Sequence, residues 1–521
     1  MENRKKILWV DDEIELLRSH VIFLQEKGFD VSTTTNGDDA IDLVKREDFD
    51  LVFLDEMMPG KDGLQTLSEL KDIRPFLPIV MVTKNEEESL MEEAIGGKIA
   101  DYLTKPVNPS QILLTCKKII EGKKIKSEQL SKDYIGEFNL IGQQLASGLD
   151  ENGWTDFYIK LTNWEMDLDE HPESGLQMML TSQKKESNAE FSKFVAKNYK
   201  NWIASKENRP TLSVDILDKF ILPKIKENET VVFIVVDCMR LDQWLEMEKI
   251  ISEKFLIQKD YYYSILPTAT PYARNAIFSG LFPSDIEEKY PQYWTNENDE
   301  NESSLNKFEK ELLEKYFERK RVQLKTELKY YKILNADMGK QVLQLSHSFD
   351  KNNLTAIVIN FVDMLAHHRS DSALLKEIAP DEAAYRSLTN SWFKHSSFLG
   401  MLQNLSEKKN LKIIITTDHG SIRCHRGTKI MAEKDASKNL RYKFGRNLKS
   451  EEKQSLFVRS PKEFKLPQNS VTSNFVIAFE DYFFVYPNDY HKYLAQYRDS
   501  FQHGGISIEE MILPVITLQA K

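Results

Sequence analysis

Short runs of β-branched and other apolar residues that end in aspartate recur along this chain, and they constrain its fold more than any other feature. VVFIVVD ends at Asp237, LVFLD at Asp55, and ILWVDD at Asp11 and Asp12. A run that is apolar at every position suits a strand buried on both faces, which is the habit of parallel sheets covered by helices. In open parallel sheets ligands gather beyond the carboxyl ends of the strands, so an acid placed there is aimed at a site. The chain is therefore expected to be α/β, with at least two sheets each presenting acids along one edge.

Up to about Gly122 the apolar runs are Ile7–Val10, a weaker one near Val31, Leu51–Leu54, Ile79–Val82 and Tyr102–Leu103. Their spacing fits βαβ units and predicts a five-stranded parallel sheet. The residues that follow these runs are Asp11 and Asp12, then Asp55, Thr83, and Lys105 with Pro106. Three converging carboxylates repel one another unless a hard cation lies among them, and Mg²⁺ favours such oxygen donors together with water and phosphate. An acidic pocket with one lysine suits phosphoryl transfer. Asp55 would accept the phosphoryl group, Mg²⁺ and Lys105 would neutralise its oxygens, and the Thr83 hydroxyl would hydrogen-bond the product. Each residue alone would pass for an N-cap or a loop residue; five at successive strand ends favour a common site.

The stretches WVDDE, FLDEMMPGKDG, MVTK and DYLTKP resemble the receiver domain of two-component response regulators. The resemblance implies a flavodoxin-like fold, phosphorylation of Asp55 by a partner sensor histidine kinase, and a rotameric switch formed by Thr83 and Tyr102. It further implies phosphorylation-promoted pairing through about residues 86–118.

Between about Lys123 and Asn208 the texture turns helical. Leu130, Tyr134, Phe138, Ile141 and Leu145 recur at helical spacing, as do Phe157, Leu161 and Trp164, and then Phe191, Val195 and Tyr199. Three or four amphipathic helices are expected to form a bundle joining input to output, with the aromatic stripe as its core. No helix-turn-helix with a basic recognition face is evident, which disfavours a DNA-binding output.

In the remaining three hundred residues, strand ends again deliver acids and histidines. Asp237 follows the first run, and Ala356–Val362 leads to Asp363 and His367. Ile413–Ile415 leads to Asp418 and His419, and His503 opens HGGISIEEMILP, whose glycines permit close backbone approach. Three aspartates and three histidines are the mixed O and N donor set that Zn²⁺ takes, enough with a nucleophile for two ions. The D-x-x-x-H spacing lets Asp363 and His367 reach one ion. Thr270, in LPTATPYARNAIFSG, stands before a proline at the start of a probable helix, where backbone amides favour anions. Coordination to one metal, with a second polarising the phosphoryl oxygens, would make that hydroxyl a competent nucleophile. As a plain residue it would be an N-cap. Cys238, Cys424 and His368 flank these motifs without fitting a ligand position.

VVDCMR, LPTATPYAR, DMLAH, TTDHG and HGGISIEE are similar to the PglZ-type domains of the alkaline phosphatase superfamily. That resemblance implies one zinc held by Asp363, His367 and His503, another held by Asp237, Asp418 and His419, and Thr270 as nucleophile. A threonine there is closer to the phosphodiesterase branch than to the serine monoesterases, and it cannot mature to the formylglycine that sulfatases require. Two insertions, about 283–332 and 422–467, are expected to form a cap. In the first, NENDENESS reads as a solvated loop. In the second, Arg441, Lys443 and Arg446 interleave with Tyr442 and Phe444, a strip suited either to phosphates and stacked bases or to an ordinary surface loop.

Composition is consistent with all of this. The 521 residues carry 81 acidic and 70 basic side chains, a net charge of −11, so no global positive field attracts duplex DNA or an anionic membrane. Three scattered cysteines do not make a disulfide framework, and neither a signal-type segment nor an apolar stretch of about 18 residues is present; a cytoplasmic protein without membrane insertion is expected. The expected organisation is a receiver over residues 1–122, a helical bundle over 123–208 and a larger α/β alkaline-phosphatase-like PglZ domain over 209–521. That order resembles the PorX-type response regulators of type IX secretion. It implies a zinc-dependent phosphodiesterase acting on linear or cyclic oligonucleotides, dimerising with phosphate and metal, with sigma-factor or secretion components as partners. A metal-bound scaffold without turnover and a phosphomonoesterase are the alternatives.

Overall fold

The computed structural model describes residues 4–74, 77–84, 99–170, 175–295, 306–433, 436–468 and 470–521, without the side chains of 121–129, 371 and 373. The acidic run at 296–304, and 85–98 of the expected pairing face, lie outside the described residues. The chain divides into two compact units, Met1–Gly136 and Glu137–Lys521.

In the first unit, strands β1 (Lys6–Val10), β2 (Asp30–Thr34), β3 (Leu51–Asp55), β4 (Ile79–Thr83) and β5 (Asp101–Thr104) form one parallel sheet in the order β2-β1-β3-β4-β5. This is the flavodoxin-like doubly wound order. The two faces of β1 feed separate cores: Ile7 and Trp9 pack with Phe53 and Val80, and Leu8 and Val10 with Val52 and Ile41. That is why the run is apolar throughout. The following helices start at side-chain caps, Asn36 accepting from the Asp39 amide and Asp62 from the Gln65 amide, so each crossover turns at a fixed point.

In the second unit, strands β6 (Thr230–Val236), β7 (Phe255–Tyr263), β8 (Lys329–Ile333), β9 (Leu354–Ile359), β10 (Leu411–Thr416) and the C-terminal strand Ile512–Ala520 make a six-stranded sheet. Its order is β7, C-terminal strand, β10, β6, β9, β8. The strands β10, β6, β9 and β8 run parallel, and the C-terminal strand is antiparallel to both its neighbours. Along β6, Val232, Ile234 and Val236 enter one core with Trp244 and Phe393, whereas Val231, Phe233 and Val235 enter another with Phe278 and Leu312. The carboxyl ends of β6 and β10 therefore emerge side by side from a sheet covered on both faces.

Two expectations change. The run Ala356–Val362 is not one strand: β9 ends at Ile359, and Phe361–Asp371 is a helix with Asp363 in its first turn. Phe361 and Val362 are apolar because the first turn of that helix packs on the sheet, not because the strand continues. The basic and aromatic strip, for which a surface loop was one reading, is a strand, Tyr442–Arg446, paired with Ser473–Ala478. The helices Glu151–Asp169 and Gln177–Ala204 are packed within the second unit, where Phe191 and Trp202 contact Tyr263. Among the described residues no helix is long and apolar enough to cross a membrane.

Candidate functional site

At the carboxyl edge of the receiver sheet, Asp11, Asp12 and Asp55 place carboxylate oxygens within 4.8 Å of one another. The Lys105 Nζ lies 2.8 Å from Asp11 Oδ2 and 2.9 Å from Asp55 Oδ2. Burial pushes the Asp55 carboxyl up to about 6 against the pull of Lys105, with Asp11 adding to the rise. An all-oxygen donor set in which burial and like charge oppose ionisation fits a hard divalent cation such as Mg²⁺. Gly63 is required beneath it, since a Cβ there would lie 2.3 Å from the Asp55 carbonyl oxygen. The Thr83 hydroxyl donates to the Glu56 carboxylate, and Tyr102 is partly exposed on the edge strand β5.

The output site gathers all six expected ligands. Asp237 follows β6, Asp418 and His419 follow β10, Asp363 and His367 face inward from successive turns of the helix Phe361–Asp371, and His503 follows the strand Ser500–Gln502. They form two triads, Asp363 with His367 and His503, and Asp237 with Asp418 and His419. In the first, His367 Nε2, His503 Nε2 and Asp363 Oδ1 are separated pairwise by 3.4 Å. The vertices of a tetrahedron with zinc-ligand bonds of roughly 2.0–2.1 Å lie about 3.3–3.4 Å apart, so these atoms occupy three corners and leave a fourth open. In the second triad His419 Nε2 is 3.8 Å from Asp237 Oδ1 and 3.7 Å from Asp418 Oδ2. The Thr270 Oγ1 stands 3.0 Å from His419 Nε2 and 3.5 Å from Asp237 Oδ1, in the position of a fourth donor. The triads touch through His419 and His503, whose rings stack at 4.2 Å.

Electrostatics favours cations here. The buried oxygens Asp363 Oδ1 and Asp418 Oδ2 have no hydrogen-bond donor. Burial, together with Asp237, pushes the Asp418 carboxyl up to about 6, and burial pushes His419 down to about 4, which leaves its imidazole neutral as a ligand must be. The Gly420 carbonyl lies 3.1 Å from His419 Nδ1, so the proton belongs there and the Nε2 lone pair faces the pocket. The fit to two zinc ions rests on these orphaned oxygens, the donor spacing and the tautomer.

Glycine makes the convergence possible. A Cβ on Gly420 would sit 1.9 Å from the Glu509 carbonyl oxygen. Gly504 adopts φ 115°, and a Cβ on Gly505 would lie 2.2 Å from Arg441 Nη2. Thus the DHG and HGG sequences are joints where two backbones meet.

The basic strip is not a phosphate contact. Arg441 is fully buried, its guanidinium held by Glu510 at 2.6 and 3.2 Å and by backbone carbonyls. Lys443 donates to the Ser437 carbonyl, and Arg446 pairs with Glu433. The alternation of basic and aromatic residues reflects a β-strand and the residue before it: Arg441 lies against Gly505 of the HGG segment, and Lys443 and Arg446 pair with Ser437 and Glu433. The helix start at Thr270 likewise offers little to an anion: Pro271 has no N–H, and the Tyr272 and Ala273 amides bond the Ala269 carbonyl. Sequence reasoning missed Arg274, whose Nη1 lies 2.7 Å from Asp237 Oδ2 and 3.8 Å from Asp418 Oδ2 while Nε lies 2.6 Å from Glu309. The i+4 spacing from Thr270 to Arg274 was the available signal.

Residues 216–518 match the family described as BREX system PglZ alkaline phosphatase-like domain, residues 7–117 the response regulator receiver domain, and residues 124–203 the PorX response regulator linker domain. Among curated proteins, the alginate biosynthesis transcriptional regulatory protein AlgB of Pseudomonas syringae pv. tomato is 34% identical over 126 residues, which is 24% of this chain and 28% of AlgB. The transcriptional regulatory protein ResD of Bacillus subtilis is 32% identical over 118 residues, 23% of this chain and 49% of ResD. The chain thus spans about half or less of the length of these relatives. A CheY-like receiver from Methanospirillum hungatei JF-1 aligns at 26% identity over 23% of this chain and 96% of that one, with a TM-score of 0.23.

Proposed function

The chain belongs to the PglZ alkaline phosphatase-like family, joined here to a response regulator receiver and a PorX-type linker, and from that premise we propose that its output domain is a zinc-dependent phosphodiesterase. The observation that carries the proposal is the Thr270 hydroxyl seated against His419 and Asp237, beside a second triad with an open corner. Asp363, His367 and His503 would hold one zinc and Asp237, Asp418 and His419 the other. Bound there, the pair would supply charge neutralisation at the attacking and leaving oxygens of an in-line displacement.

The protein's own groups do the rest. Thr270 Oγ1 attacks phosphorus, the P–O bond to the leaving oxygen breaks, and the hydroxyl proton passes through solvent to that leaving oxygen; water then attacks phosphorus, the bond to Oγ1 breaks, and one water proton restores the Thr270 hydroxyl as the phosphomonoester departs. Gly420 keeps His419 in one tautomer, and Arg274 orients Asp237 while Glu309 compensates its charge. Because the Arg274 guanidinium is held by these carboxylates, it does not offer an additional cation to a dianionic monoester, which favours the singly charged diester.

Regulation follows from the receiver: a sensor histidine kinase phosphorylates Asp55 with Mg²⁺, Thr83 and Tyr102 respond, and a homodimer forms, in a circuit that governs type IX secretion through secretion or sigma-factor components. The test is hydrolysis of bis-p-nitrophenyl phosphate and p-nitrophenyl phosphate by purified protein with and without Zn²⁺. Faster, zinc-dependent diester cleavage supports the proposal. Faster monoester cleavage would make it a phosphomonoesterase, and turnover of neither would leave a metal-bound scaffold.

A further inference from the structure

One linker helix reaches both halves of the output site from behind. On Gln177–Ala204, Asn188, Ser192 and Tyr199 recur at i, i+4 and i+11, a single stripe along the helix, and all three are buried. Asn188 Oδ1 accepts the Ile508 amide at 2.8 Å, and its Nδ2 donates to Glu509 Oε2 at 3.0 Å. Ser192 Oγ donates to the Ile506 carbonyl at 3.1 Å and accepts the Glu480 amide at 3.3 Å. These bonds hold the segment that begins at His503. About two turns further along, Tyr199 Oη accepts the Leu266 amide at 2.8 Å, at the base of the loop that delivers Thr270. The two segments are also tied directly: Thr268 Oγ1 donates to the Gly505 carbonyl at 2.7 Å and accepts the Gly504 amide at 3.2 Å.

Apolar contacts on the same helix, such as Phe191 against Tyr263, suffice to keep it packed. Buried polar groups add a different property. Left without a partner they are costly, so they specify the axial position and rotation of the helix where apolar packing tolerates slippage. We infer that Asn188, Ser192 and Tyr199 are positioning residues through which the linker helix sets the placement of His503 relative to Thr270. The linker is then an element whose displacement alters turnover. This inference rests on the reading of His503 as a zinc ligand and Thr270 as nucleophile.

The test uses the full-length, zinc-loaded protein and four variants: Asn188→Ala, Ser192→Ala, Tyr199→Phe, and Lys197→Ala on the exposed face of the helix. Zinc affinity is read by competition with a chromophoric chelator, and kcat and KM with bis-p-nitrophenyl phosphate. Asn188→Ala and Ser192→Ala are expected to weaken one of the two zinc ions by about tenfold and leave the other unchanged, as loss of support behind a ligand does. Tyr199→Phe is expected to leave both zinc affinities unchanged and to lower kcat by about tenfold with KM within about twofold. Lys197→Ala should match wild type in every readout. If the three stripe variants lower only the unfolding temperature, with zinc affinities and kcat as in wild type, the helix merely packs and the inference is overturned. Should Asn188→Ala fail to fold, Ser192→Ala decides the zinc arm. Should wild type turn over no diester, the function reading fails, yet the zinc competition still decides the inference about Asn188 and Ser192.

Discussion

At 3.0 Å from His419 Nε2 and 3.5 Å from Asp237 Oδ1, the Thr270 hydroxyl is placed between the donors of one triad, where a nucleophile would stand. Thr270→Ala is expected to reduce diester turnover by at least about a thousandfold, whereas Thr270→Ser keeps it within about tenfold, with zinc content unaltered in both. Elemental analysis alongside the hydrolysis assay separates a lost nucleophile from a lost metal. Gly420→Ala probes the backbone joint instead. With a Cβ forced to 1.9 Å from the Glu509 carbonyl, it should cost about 2 kcal/mol or more in urea unfolding and release zinc. The six residues that the fold gathers into two triads were legible in the sequence because each lies within a few residues of the end of an apolar run or of a glycine pair. Arg274 was marked only by its i+4 spacing from Thr270, and Glu309 by nothing local, since its pairing with Arg274 spans 35 positions. Arg441 and Lys443 misled for a related reason: a cation paired across the fold and a cation awaiting phosphate look alike in sequence.

Between elements, the helices Glu151–Asp169, Gln177–Ala204 and Glu382–His395 meet over buried charges. Lys184 Nζ contacts Glu165 at 2.9 Å and Glu382 at 2.6 Å, and Arg386 pairs with Asp242 at 2.6 Å and also with Asp169. Burial pushes the Glu165 carboxyl up to about 8 despite Lys184, with Glu382 adding to the rise. Below about 4.5 that group is protonated folded or unfolded. Between there and about 8 only the folded chain retains the proton, so stability should fall as pH rises through this window. Glu165→Gln, which cannot ionise, is expected to flatten that decline; urea midpoints at pH 5, 6, 7 and 8 give the comparison, and an unchanged slope would assign the proton elsewhere. Helical periodicity announced the linker helices, but the polar stripe that binds Gln177–Ala204 to the segments carrying His503 and Thr270 was hidden behind the stronger aromatic signal. The strand boundary at Ile359 was misplaced because Phe361 and Val362 continue the apolar run while their backbone turns into a helix.

For the molecule as a whole, two compact units place acids by the same means, at the carboxyl ends of parallel strands, and surround them with different donor sets. The receiver's oxygen-only pocket suits Mg²⁺ and the output domain's mixed donors suit Zn²⁺. If Asp55 governs association, an acyl-phosphate mimic with Mg²⁺ should convert wild type to a dimer in sedimentation and leave Asp55→Ala unchanged; the same response from both would remove Asp55 from control. The parallel sheets were legible from their runs, whereas the arrangement of the small sheets after Ile422 was not, because short antiparallel strands carry too little pattern. The two triads beside Thr270 are expected to hold two zinc ions, and zinc stoichiometry by elemental analysis is the decisive measurement. Two zinc ions per chain in wild type, with one remaining when His367 and His503 are both replaced by alanine, is the predicted result. A zinc-saturated wild type that holds none, or a double variant that still holds two, would contradict it.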